Sequence, residues 1–271
     1  LNHNIIGNRI SERSIKNYLY LGGLNSFEAL FEELDVQEPG SFSEYSKDKI
    51  IKNTRFKTSY SSSLKNKGNT NEFNNSFSSA LDDQLNAEVP VNILLSGGID
   101  STLIALFAKK YLKRDVSAYS LGYENHHYNE GPQAEKVANK LNIKLLMFNY
   151  PNDKNEQIID DVISKIPEPI SDPSIIPTYY LSKKVSEFTK VVITGDGADE
   201  LFGGYEWYRG TLVSRYIPES FSPLLNLMAN LKINNKGYIS QQDKFRLLAL
   251  GNNLPDPLKV LLWQNYIPSE D

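Results

Sequence analysis

The chain of 271 residues carries 29 Lys and Arg against 33 Asp and Glu, a formal net charge of −4, and is 40% hydrophobic and 23% charged. This is the balance of an ordinary folded chain, one large domain or two small ones. It excludes wholesale disorder and a nucleic-acid-coating surface, which needs a basic excess. Cysteine is absent and there are three histidines, so disulfide scaffolds, thiolate zinc sites and thiol nucleophiles are ruled out, and no apolar run reaches the length of a membrane span.

The chain begins at Leu1 with no signal-peptide pattern, which predicts a cytoplasmic protein and a piece of something longer. Residues 10–21 mix polar and apolar side chains in the manner of a short helix, and Pro39-Gly40 is a turn signal. Residues 41–45 and 50–60 are Ser/Thr/Tyr-bearing segments suited to pairing as strands, with too little apolar surface for an independent core. Residues 61–71, polar and glycine-containing, form the best linker. Phe73, Phe77, Ala80, Leu81 and Leu85 then recur at helical steps. Pro90 stops that helix, and residues 91–95 are a buried-strand run.

From there strands and helices alternate. A helix with Leu103, Ile104, Leu106, Phe107 and Tyr111 facing inward leads to a strand at 116–121. A helix at 132–141 starts on Pro132, which suits a first turn. A strand at 144–148, helices at 156–166 and 177–188, and a strand at 191–194 complete the pattern. Such alternation predicts an α/β fold: a doubly wound parallel sheet with helices on both faces. Beyond Trp207 the pattern turns helical and loop-rich, with no further clear strand.

Chemistry concentrates in two turns that each follow a buried strand. Ser96-Gly97-Gly98-Ile99-Asp100-Ser101 offers consecutive N–H groups, a helix N-terminus and two hydroxyls, an anion cradle. It is not the GxxxxGK[ST] loop, and it has no lysine. Asp100 among phosphate donors makes sense when a magnesium ion joins it to the phosphates. The second turn, Gly195-Asp196-Gly197-Ala198-Asp199-Glu200-Leu201-Phe202-Gly203-Gly204-Tyr205, combines glycines that permit close backbone approach with hard oxygen ligands at Asp196, Asp199 and Glu200. The D-x-[DN]-x-[DN]-G calcium pattern does not fit it. Two such turns at the carboxyl edge of a parallel sheet can face one another where strand order reverses, bringing Asp100 and Asp199 to one metal–phosphate group.

The first turn resembles the pyrophosphate loop of N-type ATP pyrophosphatases. Together with the second it resembles the synthetase domain of glutamine-hydrolysing asparagine synthetases of class B, and near relatives such as β-lactam synthetases. Asn129-Glu130 and Ile176-Pro177-Thr178-Tyr179-Tyr180-Leu181-Ser182-Lys183 support the match, which is strongest over residues 72–208. A weaker likeness over residues 37–60 resembles the end of that family's N-terminal glutaminase domain. The resemblance implies a glutaminase-type remnant at 1–60, a linker at 61–71 and a synthetase domain at 72–271.

The function it implies is ATP-dependent amidation of aspartate through β-aspartyl-AMP, with ammonia from a glutaminase domain. Leu95, Leu121, Thr194 and Gly195 are then expected to contact adenosine, largely through main chain. Ser96, Gly97, Gly98, Asp100 and Ser101 are expected to hold the pyrophosphate, with Asp100 and Asp199 on Mg2+. Asp196 takes the place of the family's acidic catalytic residue. The implied partners are aspartate, ATP and ammonia, with neither nucleic acid nor membrane, and with homodimerisation left open. The family's N-terminal cysteine, its Arg-Val-Pro-Phe-like helical region and a later active-site lysine have no counterpart here, which implies truncation at both ends. Two alternatives stand beside this reading: adenylation of a different acid, a sugar acid or a β-lactam precursor, or a nucleotide-binding module that does not catalyse. His126-His127, Lys109-Lys110 and Lys183-Lys184 are read as solvated positions, and Tyr179, Tyr180, Trp207 and Trp263 as packing residues.

Overall fold

The computed structural model of the protein describes residues 7, 9–24, 28–46, 49–56, 69–124, 129–230 and 241–264. His3, His126, His127, most of the expected linker and the end of the second expected strand lie outside the described residues. In chain order the elements are helix α1 (Glu12–Leu21), strands β1 (Ser41–Ser46) and β2 (Lys49–Arg55), α2 (Thr70–Leu85), β3 (Val91–Leu94) and α3 (Ile99–Leu106). Next come β4 (Ser117–Gly122), α4 (Gly131–Leu141), β5 (Lys144–Asn149), α5 (Asn155–Ile163), α6 (Ile175–Val185) and β6 (Val191–Ile193). The remainder is helical: α7 (Ala198–Phe202), α8 (Glu206–Ser214), α9 (Ser222–Ala229), α10 (Gln241–Gly251) and α11 (Asp256–Gln264). The chain divides into two compact units: Gln37–Glu168 with Asp172–Asp196, and Leu1–Val36 with Pro169–Ser171 and Gly197–Asp271.

The first unit holds a four-stranded sheet in the order β5-β4-β3-β6, parallel throughout. The chain builds outward from β3 through β4 to β5, then returns to place β6 on the other side of β3. That reversal is the mark of a doubly wound α/β sheet. Side-chain alternation along the strands covers both faces. Ile93, Ala118, Leu145 and Met147 join the cluster built with Leu81 of α2, Ile104 of α3 and Val137 of α4. On the opposite face Leu121 packs with Ile158, Val162 and Tyr179, while Tyr119 meets the rings of Phe148 and Phe188. The polar residue within β3 links strands: Asn92 Oδ1 accepts a 3.0 Å hydrogen bond from the Ser117 amide and extends the β3–β4 ladder.

Two expectations about the α2 and α3 stripes need correction. Ala80 is exposed, because the buried face of α2 is narrower than the stripe and centres on Leu81. Tyr111 is 60% exposed. The helix opens into a π turn at Phe107–Tyr111, and the Tyr111 ring stacks on Phe107 at 4.5 Å, covering the core instead of entering it. The expected lysine faces are ion-paired: Lys109 with Asp115, Lys183 with Asp161 and Lys184 with Glu187. Residues 41–46 and 49–55 pair as an antiparallel hairpin.

Among the described residues the second unit is helical, apart from an Ile10–Phe31 bridge. Ser11 caps α1 by accepting from the Ser14 amide, and Gly22 ends it at φ 72°. Leu247 and Trp263 form a small core with Trp207 packed against them. Among the described residues no helix is long and apolar enough to cross a membrane.

Candidate active site

Strands β3 and β6 pair with Ile93 opposite Ile193, so the chain leaves both strands at the same level of the sheet. The turn after β3 and residues Thr194-Gly195-Asp196 after β6 therefore emerge side by side, at the point of strand reversal where α/β sheets bind ligands. Their approach is close. A Cβ on Gly195 would lie 3.0 Å from the Asp100 Cβ and 3.2 Å from the Ser101 nitrogen, so only glycine lets the β6 exit pass the start of α3 without displacing it.

Within the first turn the hydroxyls are organised by the loop itself. Ser96 Oγ and Ser101 Oγ are hydrogen-bonded at 2.9 Å, the Ser96 amide donates to Ser101 Oγ, and the Gly98 amide donates to Ser96 Oγ. Gly97 sits at φ 83°, in the left-handed region that favours glycine. It also touches the backbone of α4: an added Cβ would stand 2.7 Å from both the Ala134 nitrogen and the Gln133 carbonyl carbon. Gly98 is the N-cap of α3, and no side chain caps that helix. Its leading amides are thus left for an incoming acceptor. Leu95 differs from its neighbours. Its side chain is buried in the core and its amide donates to the Tyr119 carbonyl, which leaves only its main-chain carbonyl for a ligand. The Leu121 side chain likewise packs in the second cluster.

On the β6 side, the Thr194 hydroxyl donates to Asp196 Oδ2 at 2.8 Å and accepts from the Asp196 amide. Asp196 is exposed, so its carboxylate is oriented by Thr194 while remaining reachable. Asp100, Ser101, Thr194, Gly195 and Asp196 are thereby gathered in one unit. Asp199 lies beyond the unit boundary, on the short helix α7. That helix occupies what the sequence presents as a glycine-rich turn, and Gly197 at φ 85° and Gly203 at φ 66° bracket it.

A third group of residues sits where β4 and β5 end. Asn129 bridges the β4–α4 connection: its Oδ1 accepts from the Tyr123 and Gly131 amides and its amide nitrogen donates to the Tyr123 carbonyl. Burial pushes the Glu130 carboxyl above its ordinary value. Burial, then Tyr150 and Glu130, does the same for the Tyr123 phenol. Tyr150 packs between Tyr123 and Tyr180, and the Tyr180 hydroxyl donates to the Asn149 carbonyl. The family resemblance singles out Asn129-Glu130 only as a pair. The Asn129 clamp is invisible at that level because its bonds run to the backbone.

The donor set fits a magnesium–polyphosphate group. The first turn offers neutral N–H and O–H donors with one carboxylate and no basic side chain. Among the described residues, no cluster of three or more His, Asp or Glu is arranged to hold a metal ion. An ion here would complete its shell with phosphate oxygens and water, as magnesium does.

A glycine-rich turn at the reversal point of a parallel sheet, with the Thr194-Gly195-Asp196 exit beside it, defines an α/β domain of the doubly wound kind. The family model for asparagine synthase matches residues 72–261, and the chain belongs to that family. A Bacillus subtilis asparagine synthetase (glutamine-hydrolyzing) is 31% identical over 148 residues, 55% of this chain and 22% of its own length. A Mycobacterium bovis chain carried under the provisional name of glutamine-hydrolyzing asparagine synthetase is 25% identical over 253 residues. The alignment takes in 87% of this chain and 39% of that one, so the chain spans about two fifths of the relative's length. The solved ammonia-dependent NAD synthetase from Campylobacter jejuni is similar at 21% identity with a TM-score of 0.37, over 51% of this chain and 61% of that one.

Proposed function

We propose that the chain is the synthetase part of an enzyme that uses ATP to amidate aspartate. The observation that carries the reading is the side-by-side exit of β3 and β6, which sets Gly195 against Asp100. In the proposed reaction a carboxylate oxygen of the aspartate side chain attacks the α-phosphorus of ATP. The bond to the bridging oxygen breaks, yielding β-aspartyl-AMP and pyrophosphate. Ammonia then attacks the acyl carbon, AMP leaves with the bonding pair, and asparagine forms.

The protein's contribution is positioning and charge neutralisation, since in-line displacement at phosphorus needs little covalent help. The amides of the Gly97–Ser101 turn and the Ser96 and Ser101 hydroxyls are assigned to the pyrophosphate. Main-chain groups at Leu95, Leu121, Thr194 and Gly195 are assigned to the adenosine. Asp100 and Asp199 are assigned to magnesium, which would neutralise the departing pyrophosphate. Asp196, whose carboxylate accepts from the Thr194 hydroxyl, is assigned to take a proton from the attacking ammonia. Under the same proposal residues 1–60 are the end of a glutaminase-type domain, and that domain supplies the ammonia.

The test is isotope exchange between pyrophosphate and ATP in the intact protein. Exchange that requires both aspartate and magnesium, and that falls at least about a hundredfold in Asp100→Asn, supports the proposal. Exchange with a sugar acid or a β-lactam precursor in place of aspartate refutes the substrate assignment, and no exchange with any acid refutes the chemistry.

A further inference from the structure

The second acidic turn contains two neighbouring carboxylates, Asp199 and Glu200, and composition alone makes them equal candidates for a cation. The geometry separates them. Glu200 Oε1 accepts a 2.6 Å hydrogen bond from the Tyr205 hydroxyl. The Tyr205 ring stacks on Trp207 at 4.0 Å and 16°, and Trp207 packs on the Leu247–Trp263 core. A continuous line of contacts thus runs from that core through two rings to Glu200. Asp199 is fixed differently. Its carbonyl accepts from the Gly204 amide at 3.0 Å, and its carboxylate lies where a Cβ on Gly204 would overlap Oδ1. The five-residue helix is therefore tied at both ends of the Gly203-Gly204-Tyr205 return: by the backbone at Asp199 and by a side-chain bond at Glu200.

We propose that Tyr205 is a positioning residue that latches Glu200, so that Glu200 orients the α7 turn and Asp199 alone presents a free carboxylate for the magnesium of the proposed reaction. The inference rests on that functional reading for the role of Asp199, and on the contacts above for the latch. Removing either partner of the latch loosens the turn without removing a ligand. It should therefore weaken the apparent affinity for the ion while sparing the maximal rate.

The experiment uses the intact protein with Tyr205→Phe, Glu200→Gln, the double variant and Asp199→Asn. For the two single variants, the Mg2+ concentration giving half-maximal pyrophosphate–ATP exchange is expected to rise about tenfold. Their kcat at saturating Mg2+ is expected to stay within about twofold. The double variant should be no worse than the worse single, because the same bond is lost in Tyr205→Phe and stripped of its charge assistance in Glu200→Gln. Asp199→Asn should lower the rate even at saturating Mg2+. A second readout needs neither metal nor nucleotide: amide hydrogen exchange at Gly204 should speed up about tenfold in both single variants. The proposal is overturned if Glu200→Gln abolishes turnover at saturating Mg2+ while Tyr205→Phe behaves as wild type, for Glu200 is then itself a ligand. It is also overturned if the Gly204 amide is unchanged in both single variants. Should wild type show no Mg2+-dependent exchange, the functional reading fails, and the Gly204 amide decides the latch by itself.

Discussion

Replacing Gly97 by alanine should be far more damaging than the same change one residue later, and the structure supplies the size of the difference. Gly97 has φ 83°, where an L-residue with a side chain is disfavoured by about 1–2 kcal/mol. The new methyl would also stand 2.7 Å from two backbone atoms of Gln133 and Ala134. A backbone at a helix start cannot step aside as a side-chain tip can, so a further overpacking cost of about 1–3 kcal/mol applies. Together these give roughly 2–5 kcal/mol, a large part of the 5–15 kcal/mol that holds a typical domain folded. Gly98 has φ −64°, and its added Cβ would meet only the Ser96 hydroxyl at 3.3 Å. Gly98→Ala should therefore cost no more than about 1 kcal/mol, mostly from the weaker N-cap. Urea unfolding of both variants, followed by circular dichroism, gives the two values directly, and Gly97→Ala should melt lower by roughly 5–15 °C. Equal midpoints for the two variants would refute the reasoning, since they would mean that neither the backbone angle nor the α4 contact matters.

Lys183 holds the Asp161 carboxyl below its ordinary value of 3.8, chiefly through their hydrogen bond. A lowered folded-state value means that the pair's contribution is present above about pH 4 and disappears as acid protonates the folded carboxylate. Lys183→Met should therefore narrow the gap to wild type in urea midpoint as pH falls from about 5 to 2, and a constant gap would count against the pair. Tyr205 has its phenol pushed from 10.0 to about 12, first by the bond to Glu200 and then by burial. Ultraviolet titration of Glu200→Gln should show one phenol returning toward the ordinary value, and in wild type the stabilisation from that bond should be whole below about pH 10 and fade as pH rises from there to about 12. Leu247 is fully buried beside Trp263. Leu247→Ala should cost about 2–5 kcal/mol by thermal or chemical unfolding, against nearly nothing for the 62% exposed Leu227→Ala.

Most of the sheet is legible in the sequence because its signals are local. A run such as Val91-Asn92-Ile93-Leu94 between Pro90 and a Ser-Gly-Gly turn has few readings other than a buried strand, and the alternation that follows sets the class of fold. The order of the strands is less so. Nothing in residues 191–193 says that they pair with β3 instead of β5, and only the demands of the second turn hint at it. The short helix α7 escapes a sequence reading because the glycines on each side of it argue for a turn, whereas those glycines in fact end the helix on both sides. Tyr111 is misplaced by such a reading for a different reason: the π turn and the stack on Phe107 are settled by packing at the end of a helix, which a periodic stripe does not encode. In the site, the identity of the loop residues can be read. The contact of Gly97 with α4, the Asn129 clamp and the Thr194–Asp196 pair join positions that spacing alone does not relate.

If the turn holds phosphate as proposed, the mutual bond between the Ser96 and Ser101 hydroxyls would make it selective by valence. A neutral or singly charged visitor has to compete with an acceptor already in place, and gains little by exchanging one good partner for another. A highly ionised one offers oxygens strong enough to draw both hydroxyls and the unsatisfied amides toward it at once. Under the proposed function the turn would discriminate against weak anions before shape is ever consulted, and the same preference would release a nucleotide stripped to its monophosphate.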